Sequence, residues 1–334
     1  MFASYTGPLF KALRASDKKE QDIGVAADGF LDLNAFNTFC SGTTCQPTTL
    51  YDQTANKNDL WRGDQLSNQI CCCGGISTGC KAGSGFQTCN NCPCALLDLG
   101  SWQMKDGSKV PMAVKGSGAH CLRNRDRTKG MPKGADPQTT YGVFHTKYTN
   151  NSCCFDYGNT EDTVRYGGRN TMSAITISTG FKPNWTWGTG SGPWPFTDFE
   201  TGVYTGDDVT CGGLGTGDLP ANDPRCGTGL NPTPSITYEI VTVFGKHNGV
   251  DKWGMKVGDA KGGAGANLTV SIPWGPLPPN YGPLQQMGGL SLGEGGSGDP
   301  GGNGAFSEGM VIKGMTDDAT DDAIQKSIVS VFSK

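Results

Sequence analysis

Residues 236–244 read ITYEIVTVF, a run dense in β-branched and aromatic residues that has the character of a strand. SAITIS at 173–178 and LTVSI at 268–272 repeat that character, and GMVIKG at 309–314 adds a further strand-like stretch. Between them lie Gly/Pro/Trp-rich loops such as GTGSGPWP at 188–195. Glycine makes up 52 of the 334 residues, about twice the usual share, and 19 prolines add more turns. Short strands parted by many turns predict an all-β sandwich or barrel with long loops.

Working outward, PLFKALR at 8–14 is ambiguous between strand and helix, and no internal repeat is present. Residues 286–304 hold nine glycines in nineteen positions. Such a run is either a flexible linker or a loop whose backbone approaches something closely; the strand-like GMVIKG after it favours a loop inside the domain. Near the C-terminus, Ala323, Ile324, Ser327, Ile328 and Val331 recur at helical spacing. Asp317, Asp318, Asp321 and Asp322 precede or open that segment, where acidic residues suit a helix N-terminus. This predicts a single short helix covering one edge of the sandwich. The whole chain, 1–334, is expected to be one domain with insertions at about 61–95 and 207–230.

Charged residues are only 17% and the net charge is −4, without a basic stripe, so nucleic acid is excluded as a partner. No stretch approaches the roughly 20 apolar residues of a membrane span. Fourteen cysteines point to an oxidising, extracellular or cell-surface setting. Cys40 and Cys45 are close enough to close a tight loop, and Cys211 and Cys226 bracket another. Cys89, Cys92 and Cys94, with the adjacent Cys71, Cys72 and Cys73, match no familiar zinc knuckle and read as a disulfide-stapled loop. Asn150, Asn184 and Asn267 begin glycosylation sequons. The opening MFASYTGPLFKALRASD lacks the apolar core of a secretory signal, so a trimmed N-terminus is expected.

The three histidines, His120, His145 and His247, lie far apart without metal-ligand spacing and read as structural; neither a metal nor a cofactor is expected. Without a serine-hydrolase, phosphate-loop or dinucleotide motif, the chemistry falls to carboxylates, and glycoside hydrolysis asks for two of them. In GSGPWPFTDFETGVYTGDD at 190–208, Asp198 and Glu200 stand two apart and share a face if both lie on a strand. Trp185, Trp187 and Trp194 precede them, and aromatic rings stack on the apolar faces of sugars. The plain alternative is a surface strand with solvated acids. Cys153 and Cys154, adjacent in NNSCCFDYGN, either bond to each other across a strained peptide or to separate partners.

The segments FCSGTTCQPTTLYDQTANKNDL (39–60), SCCFDYGN (152–159), NWTWGTGSGPW followed by DFE (184–200), SITYEIVTVFGKHNGVDKW (235–253) and GNGAFSEGMV (302–311) occur in that order. Together they resemble the catalytic domain of glycoside hydrolase family 54, the α-L-arabinofuranosidase B group. The resemblance implies a β-sandwich of the concanavalin or jelly-roll kind and a retaining mechanism that removes terminal arabinofuranose from an arabinose-containing glycan. It implies Glu200 as nucleophile, Asp198 as acceptor of sugar hydroxyls, a vicinal disulfide Cys153–Cys154 under the sugar and Trp187 as a pocket wall. Thr201, Gly202 and Gly296 fall at further sugar-contacting positions. The family's C-terminal arabinose-binding module is not expected.

The chain departs from the family at the second carboxyl, which in a retaining enzyme sits ~5–5.5 Å from the nucleophile. Counting back from GAFSEG puts Ser297 at that position, with Asp299 two residues later and Glu294 three earlier. Asp299 is the candidate acid/base. Thr201 and Gly202 also replace two asparagines. Loss of a general acid costs ~10²–10⁴-fold in rate. Two readings follow: an arabinofuranosidase, impaired or with a displaced acid, or a non-catalytic glycan-binding or structural component that self-assembles or engages other extracellular proteins. A cysteine-ligated metal protein is a distant third.

Overall fold

The computed structural model describes residues 5–27, 30–62, 98–103, 109–117, 122–124, 127–152, 154–162, 168–180, 188–200, 202–204, 233–278, 280–295 and 302–333. Most strands join one of two antiparallel sheets. The first has ten strands in the spatial order Val203–Tyr204, Trp194–Asp198, Ser173–Ser178, Tyr157–Thr160, Gly289–Leu292, Leu122–Asn124, Leu60–Arg62, Cys45–Leu50, Phe10–Arg14, Glu20–Ile23. The second has seven, in the order Thr269–Pro276, Lys252–Asp259, Ile240–His247, Gln138–His145, Asn303–Lys313, Lys109–Ser117, Asp98–Gln103.

The sheets pack face to face through one apolar layer. Leu122, Tyr157, Ile175, Ile177, Leu290 and Leu292 from the first meet Phe144, Val241, Val243, Trp253, Met255, Ile272 and Phe306 from the second. Each large side chain so buried contributes about 1.5–3 kcal/mol, and the expected β-sandwich is the fold that results.

Ile240–His247, the strand inside the opening run of sequence, is buried along its whole length. Val241 and Val243 face the inter-sheet core, while Ile240 and Phe244 face the opposite way and pack under the helix Asp318–Phe332 through Ile328 and Phe332. The helix therefore covers a face of the seven-stranded sheet, not its edge. Asp317 caps it by accepting from the Thr320 amide at 2.8 Å. Asp321, fully buried, takes Lys246 at 2.6 Å and Lys256 at 2.9 Å from the sheet below.

Two further expectations fail in detail. A second helix, Leu33–Phe39, precedes the Cys40–Cys45 disulfide; Asp32 caps it through the Ala35 amide at 2.9 Å. The glycine-rich run 286–304 is not all loop, because Gly289–Leu292 is a strand within the ten-stranded sheet. Its glycines answer to close approach: a Cβ on Gly289 would lie 2.4 Å from the Glu161 carbonyl oxygen, and one on Gly302 2.4 Å from the Cys154 carbonyl carbon. The ambiguous 8–14 stretch contains the strand Phe10–Arg14.

Candidate active site

The outer face of the ten-stranded sheet, away from the inter-sheet core, carries the candidate residues. One transverse row of partners runs Asp198, Ala174, Gly158, Ser291, Arg123 across five strands. At one end the strand Trp194–Asp198 stops and the chain turns through 199–202 into Val203–Tyr204, with the Phe199 amide donating to the Gly202 carbonyl at 3.1 Å. Glu200 is thus not on a strand with Asp198. It sits in the turn with φ +63°, a left-handed conformation that glutamate seldom adopts and that must be held by its surroundings.

Two contacts hold it. The Glu200 amide donates to Asp198 Oδ1 at 2.8 Å, so the two carboxylates are linked through backbone and not by strand alternation. Phe199 between them is fully buried, with its ring 5.4 Å from Trp253, 6.1 Å from Tyr281, 6.2 Å from Tyr204 and 6.3 Å from the His247 ring. Asp198 and Glu200 are each only 6% exposed, which rules out the solvated surface strand.

Cys154 lies beside them, packed with Trp194, Phe196 and Val203. It is disulfide-bonded, to a partner outside the described residues. Its Sγ is 3.4 Å from Asp198 Oδ2; a disulfide sulfur has no proton to donate, so this is a packing contact. Asp156, fully buried, completes the group: one atom each from Cys154, Asp156 and Asp198 falls within 4.8 Å of the others. With the sulfur in a disulfide the trio lacks a thiolate, which leaves two carboxylates. Asp156 was not singled out from sequence, although it sits in the same CCFDYGN stretch as the cysteines; the signal there was masked by their rarity.

Glu294, at the far end of the face, is bound to Arg123 at 2.5 Å, and both side chains are almost wholly buried. That pairing commits Glu294 to the sheet. Gly202 is buried, and a Cβ on it would lie 2.4 Å from Tyr281 Oη and 2.6 Å from Tyr204 Oη. Trp194 Nε1 donates to the Thr189 carbonyl at 3.1 Å. Trp187, Cys153, Thr201, Gly296, Ser297, Asp299, the Cys211–Cys226 pair and Asn184 lie outside the described residues, as do Trp185, His120 and nearly all of the two insertions. Of the other sequons, Asn267 is exposed and Asn150 half-buried.

His145 and His247 are both buried. Burial pushes the His145 ring down to about 4, against a small opposing effect of Glu239, and the His247 ring down to about 3. His145 Nε2 pairs with Ser307 Oγ at 2.6 Å.

Comparison with known proteins bears on the family and the fold. The profile of the family "Alpha-L-arabinofuranosidase B, catalytic" matches residues 1–333. The chain is 30% identical to an α-L-arabinofuranosidase B of Emericella nidulans over 99% of its length and 57% of that protein's. It is 31% identical to an arabinofuranosidase/B-xylosidase of Trichoderma koningii, covering 99% and 58%. A crystal structure of an arabinofuranosidase complexed with arabinofuranosyl-α-1,2-xylobiose superposes with a TM-score of 0.78 at 28% identity, over 99% of this chain and 60% of that one. A family 54 α-L-arabinofuranosidase soaked with a cyclic sulfate inhibitor gives the same values. The chain spans a little under three-fifths of the length of the curated relatives it matches. With the family profile covering nearly every residue and the fold matched throughout, the chain belongs to the α-L-arabinofuranosidase B catalytic family, glycoside hydrolase family 54.

Proposed function

We propose that the chain is an extracellular α-L-arabinofuranosidase domain that removes terminal arabinofuranose from plant-type or cell-wall polysaccharide with retention. Glu200 serves as nucleophile and Asp198 as acceptor of sugar hydroxyls; Cys154 with Cys153 forms the apolar floor, Trp187 a wall, and Thr201, Gly202 and Gly296 the rim. The observation that carries this reading is the turn at Glu200: a buried carboxylate in a strained conformation, its amide fixed by a second buried carboxylate, beside a bonded cysteine. Strain maintained by local packing is what a preorganised reacting group requires. Asp299 is the proposed acid/base, since Glu294 is already engaged by Arg123. The bonded cysteines support an oxidising location, and exposed Asn267 is the sequon best placed to carry a glycan.

A second reading, a glycan-binding or structural domain without turnover, is favoured by Ser297 at the ungapped acid position and by the tyrosine hydroxyls that crowd Gly202. Hydrolysis of an aryl α-L-arabinofuranoside by wild type, Glu200→Gln and Asp299→Asn separates the two. Wild-type turnover lost by at least ~10²-fold in both variants establishes the enzyme with a displaced acid. An inactive wild type that still binds arabinose establishes the second reading.

A further inference from the structure

The ten-stranded sheet has the Glu200 turn at one edge and the strand Glu20–Ile23 at the other, roughly 40 Å away along the sheet. At that far edge the strands Phe10–Arg14 and Glu20–Ile23, the stretch 25–27 and the helix Leu33–Phe39 border a hollow of about 730 Å³. Pairing with Ala12 puts Gln21 on the face of this hairpin that the helix covers through Phe36 and Phe39. The walls are fixed before any ligand arrives. The Asp32 amide donates to the Gly24 carbonyl at 3.0 Å, the Ala26 amide to the Phe30 carbonyl at 2.7 Å, and the Cys40–Cys45 disulfide ties down the end of the helix.

The lining decides what class of molecule fits. Arg14 is held flat: Nε and Nη2 donate to Asp17 at 2.8 and 2.6 Å, Nη1 donates to the Phe39 carbonyl at 3.1 Å, and the guanidinium lies 4.7 Å over the Phe39 ring. Its charge is thus met within the protein, which argues against an anionic ligand, while one N–H on each terminal nitrogen is left over. The one carboxylate in the lining, Asp32, takes the Ala35 amide at 2.9 Å, and a single carboxylate does not make a cation site. Gln21, Asn34 and Thr38 are exposed, and within the described residues none of their side chains has a hydrogen-bond or ionic partner. Small apolar residues, Val25, Ala26 and Ala35, lie among them. Neutral donors and acceptors around a small apolar floor match a molecule that is hydroxylated at its rim and apolar on its face, and the volume is that of an ordinary ligand site. We propose that this hollow is a second carbohydrate site, which takes a neutral segment of the polysaccharide whose arabinofuranose the Glu200 site removes. Holding the polymer here raises its effective concentration at the distant reacting site. The proposal rests on the functional reading above for its choice of glycan, but it is tested apart from turnover.

Affinity electrophoresis through gels containing arabinoxylan reads the binding. Wild type should be retarded, and the double variant Gln21→Ala/Asn34→Ala should lose at least about 5-fold in affinity with the two amides. Thr38→Trp, which fills the hollow from the helix, should lose as much. All three positions are exposed, so melting temperatures should stay within about 2 °C of wild type; if one variant melts lower, the other decides. Wild type running unretarded, or variants retarded as wild type is, overturns the proposal. Stronger retardation in polygalacturonate than in arabinoxylan also overturns it, because the ligand would then be acidic. Hydrolysis of an aryl α-L-arabinofuranoside by wild type judges the functional reading alone: an inactive wild type whose retardation both variants lose removes that reading and leaves the carbohydrate site standing.

Discussion

Gly202 closes the turn that holds Glu200, and its missing side chain is informative. Any Cβ there would meet the hydroxyls of Tyr281 and Tyr204, both buried. Restoring the family's asparagine as Gly202→Asn should therefore destabilise the protein by about 1–3 kcal/mol, the usual cost of overpacking, and should not raise activity. Urea unfolding measures the first and the aryl-glycoside assay the second. Adding Tyr281→Phe should recover part of the loss, because it removes the nearer of the two oxygens. At this scale residue type alone drew attention to Asp198, Glu200 and Cys154, and the structure buries all three beside one another. The sequence was silent where meaning comes from register: Asp156 faces Asp198 only because Gly158 pairs with Ala174 and Ala174 with Asp198.

Among the elements, the helix Asp318–Phe332 shows how a charged residue read correctly in place can carry a second role. Its acidic N-terminus was expected to serve the helix dipole, and Asp317 does cap it. Asp321, in the first turn, is also the buried counter-charge of Lys246 and Lys256, and it accepts the Thr316 hydroxyl at 2.5 Å. Asp321→Ala strands the Lys246 ammonium beneath the helix, and breaking a buried pair from one side costs about 3–5 kcal/mol. Chemical denaturation should read that loss, with the adjacent exposed Asp322→Ala within about 0.5 kcal/mol of wild type. The strand Ser173–Ser178 and this helix were legible because their periods persist over several residues. Gly289–Leu292 was not, because glycine is depleted in strands and only the close approach of Glu161 explains its presence. The short helix Leu33–Phe39 lacks a sustained apolar period, and its visible signal was a lone Asp cap.

For the molecule as a whole, the two buried histidines contribute to the response to acid. In the unfolded chain both rings take up a proton below about pH 6.5, whereas the folded protein keeps them neutral down to about 4 at His145 and about 3 at His247. The unfolded state thus binds more protons across this window, so stability falls as pH drops. The limiting slope is roughly 1.4 kcal/mol per pH unit for each ring. His247→Phe should flatten the melting-temperature profile between about pH 6 and 4; an unchanged slope would remove His247 from the account. The strand order has its own consequence for how the protein is made. Gly289–Leu292 lies between Tyr157–Thr160 and Leu122–Asn124, and Asn303–Lys313 lies between Gln138–His145 and Lys109–Ser117. Each sheet is thus completed by a strand that follows both of its neighbours in the chain. Until residue 289 emerges, both halves of both sheets hold open edges, which are the surfaces that pair with the wrong chain. The nascent protein must be kept from its neighbours until residues 289–313 have emerged, and it then closes both sheets in nearly the same step.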